Sequence, residues 1–407
     1  MSKKWQSCVA GVAALLAVEL PVVASASTPK KSEPRMRGNV TYTPIPFEQI
    51  AGWAEDDHLA SFRAFQISCE RLLVLARERT KGKVVPGADM VRACEAAKRV
   101  PGTVSKAGAK AFFEAHFTPN RIEHSGREGL LTGYYEPVMH GSRTRDGAYQ
   151  TPIYRRPPEL VTLIDETRAS KAGALTHGRR TEKGFEPFFT RAEIEQGALK
   201  GKNLELIYFA DPVEVFFMHI QGSARVQLTD GTMIRIQYDG KNGHPYSSIG
   251  RYLIETGMLA ADKVSLTSLR TWLRSDKERG DKVMWQNASF VFFKEQKQDA
   301  DKGPLGALGV PLTSGRSIAV DPAHHPLGTP IFVMAEGMQH AVKSGTFARL
   351  MIAQDVGSAI KGPERGDLYF GSGDEAGKIA GSTRQRGTFI VLRPNTGAHA
   401  DAGKPAP

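Results

Sequence analysis

Leu350-Met351-Ile352-Ala353-Gln354-Asp355-Val356-Gly357 opens the stretch that decides the fold, and Gly366-Asp367-Leu368-Tyr369-Phe370-Gly371 closes it. Each half is a short apolar run with an aspartate at its edge and glycine beside it. Short runs bounded in this way read as buried β-strands. Ser317-Ile318-Ala319-Val320 is a third run of the same kind and leads into Asp321. An acid at a strand end, with pliant backbone beside it, is how a β scaffold presents a carboxylate to a cleft. Aspartate also ends strands and caps turns for structural reasons alone. Spacing therefore leaves both readings open for Asp321, Asp355 and Asp367.

Toward the N-terminus the strand texture runs back to Gly129. Leu130-Leu131-Thr132-Gly133-Tyr134-Tyr135-Glu136 reads as a strand that stops at Pro137. Residues 137–190, rich in Arg, Gly and Pro, read as long loops with short strands. Thr190-Arg191-Ala192-Glu193 has capping-box spacing and predicts a short helix toward Leu199. Val213–Ile220 reads as a strand. Ala224–Leu228 and Met233–Tyr238 flank the turn pair Asp230-Gly231 and predict a hairpin. Ser247–Glu255 reads as a helix closed by Gly257. A second strand-rich block begins at Ser289-Phe290-Val291-Phe292-Phe293 and runs to about Leu392.

Before Gly129 the texture is helical. Leu59, Phe62, Phe65, Ile67, Leu72, Leu73 and Leu75 have roughly helical spacing. A second helix spans about Ala88–Val100, and a third ends near Phe117, before Pro119. Residues 27–46 read as a flexible leader and Asn395–Pro407 as a disordered tail. Lys3 and Lys4, the apolar run Val9–Val18 and Ala24-Ser25-Ala26 compose a secretory signal peptide over residues 1–26. Export implies an oxidising compartment. Cys8 leaves with the signal, so Cys69 and Cys94, one in each of the first two helices, are expected to form a disulfide.

The chain of 407 residues carries a net charge of +11, and its mean hydropathy of −0.32 argues against a polytopic membrane protein. A basic surface favours an anionic partner. Export argues against nucleic acid, and Arg155-Arg156 and Arg179-Arg180 read as solvated faces. His324-His325 lacks a second ligand pair with metal spacing, so no metal is expected. Gly371-Ser372-Gly373 lacks the ending of a phosphate loop, and Gly222-Ser223 lacks the full nucleophile elbow.

Several separated motifs occur in a specific order: Leu131–Pro137, Pro152-Ile153-Tyr154-Arg155, Gln221-Gly222-Ser223, Gly240–Tyr246 with Ser248-Ile249-Gly250, Ser289–Lys294, Asp355–Gly362 and Gly366–Tyr369. In these the chain resembles the membrane-bound lytic murein transglycosylase A family, and its C-terminal block resembles the 3D domain, named for three aspartates. The resemblance covers most of residues 129–393. It implies a mainly β fold with N-terminal helices: a double-psi β-barrel domain with an inserted second β-rich domain and a glycan groove between them. The barrel domain would combine residues 27–136 and 290–394, and the insert would span 137–289. The family's catalytic acid corresponds to Asp367. Asp355 corresponds to a neighbouring acid that supports it and contacts sugar, and Asp321 to a structural one. Thr132, Tyr135, Gln221 and Ser223 match positions that line the groove.

The implied activity is a cofactor-free lytic cleavage of peptidoglycan glycan strands, the β-1,4 bond between N-acetylmuramic acid and N-acetylglucosamine being exchanged for a 1,6-anhydromuramic acid end. An ordinary glycosidase needs two carboxylates. A lytic transglycosylase needs one, because the muramoyl C6 hydroxyl attacks intramolecularly. One acid protonates the leaving oxygen and then removes the C6 proton. Family members are often lipoproteins, with a cysteine after the apolar run. Here Cys8 precedes that run, so cleavage after Ala26 and a periplasmic protein, at most peripherally associated with the envelope, are expected. Two rivals remain at this point. One is a non-catalytic wall-binding or wall-loosening barrel. The other is a muramidase, for which Glu136 is the nearest second carboxylate.

Overall fold

The computed structural model describes residues 40–78, 85–126, 128–163, 176–296 and 302–396. The expected signal peptide, most of the leader and the tail after Thr396 lie outside these residues. The described chain is mainly β with some helices. No helix among the described residues is long and apolar enough to cross a membrane.

The end of the expected leader is not flexible chain but a short strand, β1 (Thr41–Pro44), which pairs antiparallel with Asn120–Glu123 ahead of the helical segment. In α1 (His58–Glu78) the buried positions Phe62, Phe65, Cys69 and Leu72 recur with helical period. α2 (Ala88–Arg99) is tied to α1 by the expected Cys69–Cys94 disulfide, with Cα atoms 4.9 Å apart. α3 (Lys106–His116) is capped by the Ser105 hydroxyl, which accepts the Gly108 N–H. These helices bury their apolar faces, with Phe62, Phe65 and Phe113, against strands of the largest sheet. A fully buried side chain of this size contributes about 1.5–3 kcal/mol. Polar locks fix the register: Ser61 Oγ donates to Leu350 O at 2.8 Å, and Gln354 Nε2 donates to Ser68 Oγ at 2.8 Å.

The chain then enters β2 (Phe117–Glu123) and β3 (Leu130–Glu136). After Pro137 it leaves for a second sheet with β4 (Val138–Ser142) and β5 (Thr151–Tyr154). A small three-stranded sheet follows: β6 (Leu160–Thr162), β7 (His177–Thr181) and β8 (Gly184–Glu186). The predicted capping box forms at Thr190 and Glu193 and starts α4 (Arg191–Glu193). Next come β9 (Glu205–Phe209), α5 (Pro212–Gln221), and the expected hairpin of β10 (Ser223–Leu228) and β11 (Met233–Lys241). α6 (Ile249–Glu255), α7 (Leu266–Arg274) and α8 (Lys277–Met284) precede β12 (Val291–Gln296).

The return to the first sheet uses β13 (Ser317–Val320), β14 (Pro330–Ala335), β15 (Phe347–Val356) and β16 (Arg365–Ser372). α9 (Asp374–Ser382), β17 (Arg384–Arg386) and β18 (Thr388–Pro394) complete it. The first sheet has the order β1-β2-β18-β14-β15-β13-β16-β3-β17, and the second β12-β11-β10-β4-β9-β5. The first order is open, and no closed barrel is found among the described residues.

Val213–Ile220 is a helix, not the expected strand. Asp211 accepts the Val213 and Glu214 N–H groups, Pro212 sits in the first turn, and Gly222 ends the helix with φ 81°. Its periodicity is hidden because it packs on two cores, with Val215 and Met218 against the second sheet and Phe216 and Phe217 against α6–α8. α9 was also illegible, because glycines interrupt it. Gly377 lies under the Tyr135 ring, where an added Cβ would come within 2.9 Å. Close approach, not helix propensity, decides that position.

Candidate active site

Three adjacent strands place two of the aspartates in one cross-strand row. Ala319 on β13 pairs with Asp355 on β15 at one side and with Asp367 on β16 at the other. Asp367 in turn pairs in parallel with Thr132 on β3, and Tyr369 with Tyr134. At the usual strand spacing the two aspartate Cα atoms lie about 10 Å apart. Side chains at i and i+2 share a face, so Thr132 and Tyr134 stand together, as do Arg365, Asp367 and Tyr369. The Tyr134 ring packs with Ala319, Leu312 and Tyr369, and its hydroxyl reaches Asp355.

This row floors a cleft of about 650 Å³. Thr132, Tyr134, Asp355, Arg365 and Asp367 line one side, and Gln221, Ser223, Arg191, His219 and Tyr246 line the other. The cleft thus runs between the first sheet and the α5–β10 corner of the second.

Asp367 accepts one hydrogen bond, from Thr132 Oγ1 to its Oδ1 at 2.5 Å. Its Oδ2 has no partner among the described residues. Surrounding protein strips water from the carboxyl and raises its pKa above the ordinary aspartate range; the Arg365 charge and the Thr132 hydrogen bond oppose that rise without cancelling it. Asp355 is more tightly held. Its Oδ1 accepts the Ala307 and Val356 N–H groups, each at 2.9 Å, and its Oδ2 accepts the Tyr134 hydroxyl at 3.0 Å. Burial nonetheless pushes its pKa up to about 6, helped slightly by the Asp367 charge and opposed by those three donors. The Tyr134 phenol is pushed well above 10 by burial and by both aspartates, so it stays a proton donor.

Asp321 does not join them. Its carboxylate accepts the Ala323 N–H at 3.2 Å and the Gly362 N–H at 2.9 Å, and Lys361 lies 3.7 Å away. It ties the turn after β13 to the loop before β16. Tyr135 is also placed elsewhere. Its ring packs on Ala376 and Ala380 of α9, its hydroxyl accepts from Arg270 at 3.1 Å, and it does not line the cleft. Gln221 is tethered, its Oε1 accepting the Tyr135 N–H at 3.0 Å. Glu136, the suspected second carboxylate, is fully buried away from the cleft. It binds Arg235 Nε at 2.6 Å, Arg225 Nε at 2.9 Å and Ser372 Oγ at 2.6 Å.

Similarity to known proteins follows the same geometry. A family model described as the MltA specific insert domain matches residues 130–294, and one described as the 3D domain matches residues 316–393. The chain is 37% identical over 272 residues to the membrane-bound lytic murein transglycosylase A of Escherichia coli K12, covering 66% of each sequence. It is similar to the solved membrane-bound lytic murein transglycosylase of Agrobacterium tumefaciens at 37% identity and a TM-score of 0.77, covering 87% of this chain and 98% of that one. The chain belongs to the membrane-bound lytic murein transglycosylase A family.

The match spans 66% of the length of the curated Escherichia coli relative. A further family structure, Escherichia coli MltA with bound chitohexaose, superposes with a TM-score of 0.63 at 29% identity, covering 87% of this chain and 95% of that one. The cleft also holds Tyr134, Arg365, Arg156, His219 and Arg191, which the motifs did not single out as site residues. Strand alternation puts Tyr134, not Tyr135, on the face of Thr132. Arg365 stands two residues before Asp367, the same signal. Arg156, read as solvated, lines the cleft and donates to Leu160 O at 2.7 Å. His219 and Arg191 carry no sequence signal; they meet only because α4 and α5 pack together. His325, half of the rejected metal pair, is buried, with its Nε2 2.6 Å from Pro363 O.

Proposed function

We propose that this protein is a peptidoglycan lytic transglycosylase in which Asp367 alone serves as acid and then as base. Family membership supports the reaction class. The observation that carries the single-acid reading is the set of hydrogen bonds around the carboxylates of the cleft. Asp355 has both oxygens occupied, Asp239 is ion-paired with Lys294 at 3.0 Å, and Asp367 carries no ion pair and presents Oδ2 without a partner among the described residues. Its raised pKa keeps a proton available for the leaving glycosidic oxygen. The resulting carboxylate then takes the C6 proton as that oxygen closes on the anomeric carbon. Tyr134 and the backbone donors hold Asp355 beside the sugar, Gln221 and Ser223 offer amide and hydroxyl groups to it, and Thr132 is engaged with Asp367 and Arg365. A muramidase would need a second free carboxylate, and Glu136 is engaged by two arginines.

The finer architecture and location belong to the same proposal. The parallel pairs β13–β15 and β16–β3 support a double-psi scaffold in the first sheet, while β12 pairs with β11 in the second and so favours an insert that runs from Val138 through Gln296, past the expected end at 289. The family name supports an envelope location, for which a cleaved signal peptide would be the route. Digestion of purified sacculi with the enzyme tests the reaction: muropeptides ending in 1,6-anhydromuramic acid are expected. Reducing muramic acid as the product would refute it, and binding without cleavage would favour the wall-binding rival.

A further inference from the structure

Arg365 lies on the strand that carries Asp367 and shares its face. Its guanidinium is locked on both sides. Nη1 donates to Leu130 O at 3.3 Å and to Gly366 O, and Nη2 donates to Thr132 Oγ1 at 2.9 Å. No carboxylate touches it among the described residues. An arginine can only donate. Thr132 Oγ1 therefore accepts from Arg365 on one lone pair, and its own proton is satisfied by pointing at Asp367 Oδ1, the acceptor in its reach among the described residues. A chain of this kind has one direction. Asp367 Oδ1 then accepts in both protonation states, which favours Oδ2, the oxygen without a partner among the described residues, as the seat of the acid proton.

We propose that Arg365 is a positioning residue that acts through Thr132, fixing the direction of the Arg365–Thr132–Asp367 chain and so holding the transferable proton of Asp367 on Oδ2. This rests on the reading of Asp367 as the acid. Without Arg365 the threonine hydroxyl would be free to rotate and accept, and the proton could occupy either oxygen, one of them facing away from substrate. The chain also limits how basic Asp367 becomes. Arg365 contributes a positive charge and Thr132 a hydrogen bond to the ionised form, and both favour the carboxylate. The other groups facing Asp367 are Tyr134 on β3, Asp355 on β15 and Tyr246 from the loop before α6. Arg384 on β17 lies opposite Thr132 with an exposed side chain. None of these donates to either oxygen of Asp367.

The test compares wild type, Arg365→Gln, Thr132→Val and Thr132→Ser. The Asp367 carboxyl is titrated by carbon-13 NMR, assigned by its loss in Asp367→Asn, and kcat/KM on sacculi is followed against pH. In Arg365→Gln and Thr132→Val the carboxyl should titrate at higher pH than in wild type. The alkaline limb of the rate profile should move the same way, and the maximal rate should fall by about tenfold, less than the roughly 10²–10⁴-fold of losing the acid–base group itself. Thr132→Ser restores the hydroxyl and should return the titration to its wild-type position. A folded Arg365→Gln protein whose Asp367 titration and pH limb do not move overturns the proposal, even if its activity falls. If Arg365→Gln does not fold, Thr132→Val decides in the same way. The carboxyl titration does not depend on the reaction catalysed. A wild type that forms no anhydro ends would refute the transglycosylase reading while leaving the relay testable.

Discussion

Glu136 and Asp367 lie toward opposite ends of one parallel strand pair, β3 with β16, and each has a hydroxyl donor and arginine beside it. At the Glu136 end, Arg225 and Arg235 touch the carboxylate directly and Ser372 donates as well. At the Asp367 end, the arginine touches the threonine instead, and among the described residues only the threonine hydrogen-bonds the acid. Two contacting guanidiniums and a hydroxyl engage both oxygens of Glu136. One placed a hydroxyl away leaves the acid able to carry a proton. Burial is common to both ends; what separates a structural acid from a proton donor is how close its cation stands.

The comparison can be broken at either end. The largest effect is expected for Asp367→Asn. It keeps the shape but can pass no proton in either step, so turnover on sacculi should fall by about 10³-fold or more, with little change in melting temperature. Glu136→Ala should show the inverse pattern. It strands two arginines, one of them buried, at a cost on the order of 3–5 kcal/mol in urea unfolding. The folded fraction should keep its product chemistry. If Glu136→Ala folded normally but lost turnover, the two ends would have been assigned the wrong way round.

Breaking the Cys69–Cys94 bond opens a loop of sequence separation 25. A Cys69→Ala/Cys94→Ala protein should lose about 3 kcal/mol by denaturant titration, without any shift in its pH–rate profile.

A smaller, pH-dependent effect is expected at Asp355. Its folded pKa of about 6 exceeds the unfolded value of about 4. The protonated acid therefore favours folding below about pH 4, and that contribution is lost as pH rises through about 6. Asn can accept both backbone N–H groups on Oδ1 and donate to Tyr134. Asp355→Asn should therefore melt above wild type near pH 8 and lose that advantage near pH 4. Calorimetric scans at the two pH values check the sign.

Much of this contrast was legible in the sequence. The strand-edge runs at 317–320, 350–356 and 368–370 announced the carboxylates, and Asp230-Gly231 and Gly257 announced a hairpin and a helix end. What stayed hidden was set by tertiary packing. α5 is buried on two sides, which erases the helical period, and its caps at Asp211 and Gly222 were the signals left. Glu136 looked like a free acid because its arginines come from β10 and β11, about ninety residues away. Tyr135 and Tyr134 differ only in which face of β3 they take, and strict alternation from Thr132 would have chosen Tyr134. Arg365 was readable by the same rule from Asp367.

The single-acid claim is tested most directly by letting the enzyme digest sacculi in oxygen-18 water and weighing the new glycan ends. With the C6 hydroxyl as nucleophile and Asp367 alone moving the proton, the new muramic acid ends should be anhydro and unlabelled. Reducing ends carrying oxygen-18 would mean that water attacked, and that a second catalytic group, not Asp367 alone, completes the reaction.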